Sequence, residues 1–418
     1  MKQVRIIIFL AIVTGMVASF QSCDEKDPDP LTVVSVATDS GVALDAASPA
    51  ADIPVNAAIV VTFDKEVDAS TAVLDAAVVK ANGIEIPSTI TVNGAIVTLK
   101  PNVAMTNGVN YNVSIAPTLA ATDGAPAIEA EYTFKTYGRA NVRPPQASNQ
   151  LSYFSFSGNM NDEVGVHTPV AADIRNFSYN VDRFGYEGLA GDFNGSTTLV
   201  EIPHGEKYME HKSFALSLWI KANSTKEGHF ILGLAAWKGF QLEISSDWAW
   251  IKLTTQYAED GSLSDSEDTW FTGTGETLSN GGWQGWTYHK EVVPHGSVGA
   301  TYFKDKWAHV VCTYDASTKL ATMYLNGEKV KQNDFNLWPV GEPKRTVSGL
   351  KFAGNMDGGN KLALGFIQAS ENRVVPYDWA DPGNIYSNHF KGQMDDLRIF
   401  KVSLTAAEVA TLYGAEKP

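Results

Sequence analysis

The chain has 418 residues, 44% of them hydrophobic and only 19% charged, with a formal net charge of −15. That length suits about two or three domains, and the hydrophobic share excludes a disordered chain. The negative field repels phosphate backbones, which argues against nucleic acid as a partner.

The first residues read as an address. Lys2 and Arg5 form a basic start, and the apolar run from Ile6 to Phe20 is too short for a membrane span of about 20 residues but suits a signal peptide, 1–22. The run ends at Phe20-Gln21-Ser22-Cys23, followed by Asp24-Glu25-Lys26-Asp27. A small residue before a cysteine, then an acidic tetrad, resembles the lipobox and surface-display signal of Bacteroidetes-type lipoproteins. That resemblance implies acylation of Cys23 and a lipid anchor at the outer membrane, exposed at the cell surface. Residues 23–30, with Asp27-Pro28-Asp29-Pro30, read as an acidic solvated spacer. The other cysteine, Cys312, lies in the run Val310-Val311-Cys312 and reads as a small core residue. Two cysteines are too few for a disulfide framework.

Residues 31–137 show short β-rich runs separated by turns. Ala58 to Phe63 is one, and the runs at Thr89–Val92 and Ala95–Leu99 flank Asn93-Gly94, a strong hairpin signal. Tyr111 to Ile115 and Glu131 to Phe134 alternate with period two. Strands at this spacing indicate a small β-sandwich. Ser48-Pro49, Ile53-Pro54-Val55-Asn56, Val61-Thr62-Phe63-Asp64 and Gly108-Val109-Asn110-Tyr111 resemble the bacterial Ig-like module of surface proteins, which implies a spacer role. Residues 138–150, with Arg143-Pro144-Pro145, read as a linker.

Residues 151–415 again read as β-strands: Phe214 to Ile220, Gln241 to Ile244, Trp248 to Thr254, Trp307 to Tyr314 and Leu320 to Leu325. Asn326-Gly327 is a turn, and Thr405-Ala406-Ala407-Glu408 is a capping box opening a helix from Ala406 to Tyr413. Five phrases occur in the order of one family: Leu151-Ser152-Tyr153-Phe154, Gly191-Asp192-Phe193-Asn194-Gly195, Trp307-Ala308-His309-Val310, Tyr324-Leu325-Asn326-Gly327, and Phe390 to Phe400 with the helix after it. They resemble the concanavalin A-like (laminin G-like) lectin domain. The fold class expected is therefore all-β, an Ig-like β-sandwich followed by a concanavalin A-like jelly-roll β-sandwich. That fold hosts enzymes, lectins and adhesion modules alike.

Glycoside hydrolases of this fold alternate carboxylates along one strand, because retaining hydrolysis needs two carboxyls about 5 Å apart. No strand here does so. Asp395-Asp396 are adjacent and expected on opposite faces; Glu201 and Glu243 stand alone in their strands; Glu267-Asp268 reads as a solvated loop. No metalloprotease, paired-cysteine or nucleophile-elbow motif occurs, and the eight histidines are scattered. No catalysis is expected. The resemblance nominates one cofactor, a structural Ca²⁺, at Asp396 with Asp162; the alternative is a hydrogen-bonded aspartate at a strand end.

The second domain is longer than a bare sandwich needs, and the excess is rich in aromatics. The stretch 256–303 carries Trp270, Trp283 and Trp286; 333–345 carries Trp338; 371–389 carries Tyr377 and Trp379. Long loops in compact domains are usually functional or disordered, and disordered loops rarely hold this many large aromatics. Rings in them can stack on the apolar face of a pyranose, or can anchor the loops onto the sandwich. Trp219, Trp248 and Trp307 read as core strand residues. The expectation is a surface protein that captures a polysaccharide or oligosaccharide for uptake, working beside an outer-membrane transporter complex. An adhesin that binds protein is the second reading, and a divergent glycoside hydrolase the third.

Overall fold

The computed structural model describes residues 28–418 apart from 74, 226, 261–262, 276–285, 355–359 and 372. The signal peptide, Cys23 and Trp283 lie outside the described residues. Two compact units meet at Ala140 and Asn141. Among the described residues no helix is long and apolar enough to cross a membrane.

The N-terminal unit is a sandwich of two sheets. One orders Val33–Thr38, Ile59–Phe63, Ile96–Pro101 and Ser88–Asn93; the other orders Ala50–Ile53, Ala130–Thr136, Asn110–Ile115, Ala77–Ala81 and Ile84–Glu85. Period-two alternation decides what each strand buries. Ile59, Val61 and Phe63 from one sheet meet Tyr111, Val113 and Ile115 from the other in a single core. The expected hairpin forms, but Asn93 pairs with Ile96, so the two-residue loop is Gly94-Ala95, one position later than the Asn-Gly signal suggests. Gly94 takes φ 60 at the first loop position, which only glycine adopts freely.

The C-terminal unit packs a nine-stranded sheet on an eight-stranded one. The larger sheet is centred on Lys391–Phe400, Phe214–Ala222, Ala308–Asp315 and Leu320–Leu325. The smaller runs through Leu199–Ile202, Leu362–Leu364, His229–Leu234, Phe240–Ile244, Ile251–Ala258 and Ser264–Phe271. Leu216, Leu218, Val310 and Cys312 of the first face Leu242, Ile244 and Leu253 of the second across the shared core. The Asn326-Gly327 turn forms with φ 50 and 80, the two positive values that a two-residue hairpin of this type requires. The Thr405 capping box also forms, and its helix runs on to Glu416. Asn141 and Val142, expected in a linker, belong to this unit: Asn141 bonds Glu163 and Val142 accepts from Arg398.

Two expectations about the closing strand change. Ser217 pairs with Arg398 and Trp219 with Asp395, so Asp396 and Leu397 together oppose Leu218. This is a β-bulge, and Asp396 sits in it at φ 44. The bulge cancels the alternation, so Asp395 and Asp396 do not part to opposite faces. Both grip Arg183, at 2.5 Å each, with all three side chains fully buried. The Arg183 guanidinium lies 4.6 Å over the Trp219 ring, and its Nε donates to the Glu416 carbonyl at 2.8 Å. Glu416 accepts from Arg398 Nε at 2.9 Å and from Trp219 Nε1 at 3.0 Å. Burial, with the Asp396 charge, lifts the Glu416 carboxyl above the ordinary range. This sealed network clasps the closing strand to the terminal helix. Trp219 is core as expected, but Trp248 is half-buried in a turn at φ 63 and Trp307 is half-buried just before its strand.

Candidate functional site

The outer face of the eight-stranded sheet carries the candidate site. In Phe240–Ile244, Ile251–Ala258 and Ser264–Phe271 alternate residues enter the core, so the residues between them must face outward. Those residues are Gln241 and Glu243, then Lys252 and Thr254, then Ser266, Asp268 and Trp270. Antiparallel register aligns Gln241, Thr254 and Asp268 in one row, and Glu243, Lys252 and Trp270 in the next.

The floor is a tight polar lattice. Lys252 Nζ lies 2.8 Å from Glu243 and 3.4 Å from Asp268. Thr254 Oγ1 donates to Asp268 at 2.6 Å, and Gln241 Nε2 donates to Glu243 at 3.2 Å. Burial pulls the Lys252 ammonium toward deprotonation, but the Glu243 and Asp268 charges outweigh it and hold its pKa above the usual lysine value. Gln241 is 5% exposed, and its Oε1 has no partner among the described residues.

Aromatic rings wall the floor. Trp237 projects from a tight turn in which Ala235 and Ala236 both take positive φ. It stacks on Trp379 at 5.8 Å and 21°, and Trp379 stacks on Tyr377 at 5.9 Å and 10°. The loop bearing Tyr377 and Trp379 is pinned from beneath. Gln368 donates to the carbonyls of Val375 and Ala380 and accepts from Val375 N, and Ser387 Oγ donates to the Trp379 carbonyl. The shelf is thus fixed in place, with Tyr377 55% and Trp379 45% exposed. Trp250 and Trp270 meet edge to face at 5.9 Å, with Lys252 over Trp250 at 5.6 Å. Between floor and shelf lies a groove of about 380 Å³, lined by Trp237, Trp379 and the polar rows, a size that takes a small ligand.

The residues expected at a site separate here. Tyr377, Trp379 and Trp270 share this face, although Trp270 is on a strand and not in a loop. Trp338 does not share it. It is 8% exposed within the main core, and Arg345 grips its carbonyl at 2.6 Å, so this insert is anchored packing. Trp286 begins the strand Trp286–His289, which pairs with Glu328–Asp334 in the other sheet. The carboxylate expectations change as well. Glu243 is not alone and Asp268 is not in a loop: neighbouring strands bring both onto one lysine. Trp237, Gln241, Lys252 and Thr254 were not singled out from sequence. The signal for the last three is polar alternation in successive strands, Gln241-x-Glu243, Lys252-x-Thr254 and Ser266-x-Asp268, and Trp237, in the turn before them, has none.

The carboxylates nominated for Ca²⁺ do not fit it. Asp396 Oδ1 accepts from Tyr153 OH at 2.7 Å and Oδ2 from Arg183 at 2.5 Å, and that guanidinium would repel a cation. Asp162 spends its oxygens on the backbone N–H groups of Tyr153, Val164 and His167 at 2.9–3.0 Å, organising the loop after the first strand. Ca²⁺ asks for about six to eight free oxygens.

Comparison with known proteins agrees with the two sandwiches. A model of the bacterial Ig-like domain matches residues 27–136. A model of the concanavalin A-like lectin/glucanases superfamily matches residues 248–369. The chain is therefore all-β, an Ig-like sandwich followed by a concanavalin A-like jelly roll. No curated protein matches the chain at a significant level. Among solved structures it is similar to the botulinum neurotoxin serotype C1 binding domain, at 13% identity and TM-score 0.38 over 65% of this chain and 53% of that one. It is also similar to the botulinum neurotoxin type G receptor binding domain, at 14% identity and TM-score 0.37 over 64% and 51%. A third is the binding domain of botulinum neurotoxin DC in complex with SialylT, at 14% and 0.36 over 64% and 51%. The chain spans about half the length of these structures.

Proposed function

We propose that the chain is a non-catalytic, carbohydrate-binding surface lipoprotein that holds a polysaccharide in the groove of its C-terminal domain. The observation that carries this reading is the fixed shelf of Trp237, Trp379 and Tyr377 beside a polar floor. Flat rings can cover the C–H face of a pyranose while the floor takes its hydroxyls. Shelf and floor both sit on packed elements, so little ordering cost falls on binding. Lys252 lies between Glu243 and Asp268 and pairs with both, so neither stands as a free acid or base beside the groove, which supports binding without hydrolysis.

The lipid anchor at Cys23, the outer-membrane location and a transporter as the receiving partner rest on the sequence around Cys23. The Ig-like domain would then space the groove from the membrane. Two experiments test the reading. Affinity electrophoresis of the full chain through gels cast with plant, algal and host polysaccharides should show retardation by at least one; free migration through all of them contradicts glycan capture. Intact-mass analysis of membrane-extracted protein should show acyl chains on Cys23; a soluble chain beginning elsewhere contradicts the anchor.

A further inference from the structure

The floor of the groove turns its one cation onto its own carboxylates and leaves a buried acceptor over. Both Lys252 contacts go to Glu243 and Asp268, the Thr254 hydroxyl goes to Asp268, and the Gln241 amide N–H goes to Glu243. The buried polar atom of the floor left without a partner among the described residues is an acceptor, Gln241 Oε1, and both carboxylates keep lone pairs. Gln241 is about nineteen-twentieths buried, so an unmet acceptor there favours a ligand that donates to it. Two carboxylates face one ammonium, and Lys252 is the only cationic side chain lining the groove among the described residues.

Resting on the glycan reading above, we propose that the groove selects uncharged, hydroxyl-rich glycans and rejects those bearing uronate or sulfate, because Lys252 is committed to Glu243 and Asp268. Sugar hydroxyls donate to Gln241 Oε1 and to the carboxylates. A uronate or sulfate brings only acceptors and a second negative charge, and meets no uncommitted cation. Glu243 and Asp268 are then specificity-determining residues: they neutralise the one group that could pair with an anionic sugar.

The test uses polymers matched in backbone and differing in charge: methyl-esterified against de-esterified homogalacturonan, hydroxyethyl- against carboxymethyl-cellulose, and desulfated against sulfated galactan. The full chain is titrated with each pair at physiological salt. For every backbone that binds, the uncharged member should bind at least about tenfold more tightly. Glu243→Gln with Asp268→Asn releases Lys252 and should shrink that preference to within about threefold or reverse it. Glu243 is nearly buried, so Asp268→Asn alone serves as a second variant and should move the preference in the same direction. Equal or tighter binding of the acidic member by the wild type overturns the inference and leaves glycan binding standing, as does a preference that both folded variants keep unchanged. Binding of no member of any pair overturns the glycan reading itself.

Discussion

Replacing Arg183 with Met should unfold the C-terminal domain early while leaving the Ig-like domain alone. The guanidinium is fully buried and pairs with two buried carboxylates at 2.5 Å each. Methionine keeps the aliphatic bulk over Trp219 but takes away the cation that Asp395 and Asp396 share. Breaking one side of such a pair costs about 3–5 kcal/mol, which for a domain of this size lowers the melting temperature by roughly 6–15 °C. The assay is selective, because all 10 tryptophans lie in the C-terminal domain, the first being Trp219, so tryptophan fluorescence reports that domain only. Adding Asp395→Asn and Asp396→Asn to Arg183→Met removes the two buried negative charges and should recover at least about half of the loss. Asn also tolerates the positive φ at position 396. A single variant that melts within about 2 °C of wild type would refute the view that this network holds the closing strand and helix.

Two further outcomes follow from the same structure. Burial, with Arg183 nearby, lowers the His309 pKa to about 3, and burial lowers those of His229, His289 and His389 to about 4. These folded values lie below the unfolded value of about 6.5, so the stability that the neutral rings confer is full above that pH and is lost as pH falls toward 4. Urea midpoints read by tryptophan fluorescence should fall steadily from pH 6.5 to 4.5, and a flat profile contradicts burial of neutral histidines. Separately, reducing-end assays on any polysaccharide that binds should stay at background; turnover that vanishes in Glu243→Gln would make the groove an active site.

Local chemistry was readable in the sequence, and cross-strand geometry was not. The Thr405 capping box and the Asn326-Gly327 turn depend on neighbours in the chain, and both form as expected. Trp379 and Tyr377 were nominated because rings in a long insert either meet a ligand or anchor the insert, and the structure leaves both about half-exposed. Trp338 satisfied the same description yet fills the core, because only packing tells an anchor from a platform. Glu243 and Asp268 looked unrelated since 25 positions separate them; a three-strand register brings them onto Lys252. The bulge at Asp396 has no local marker beyond an aspartate that accepts positive φ, so strict alternation misplaced the Asp395-Asp396 pair.

The most direct test of the groove is calorimetry on a polysaccharide that the wild type binds, repeated with Trp379→Ala and Trp237→Ala and paired with thermal melts. Losing one stacking ring removes about 1–3 kcal/mol of apolar contact, so affinity should drop about five- to hundred-fold. Trp379 is already 45% exposed, and its melting temperature on truncation should stay within about 2 °C of wild type. Unchanged affinity in both variants, with both folded, would place the binding site somewhere other than this groove.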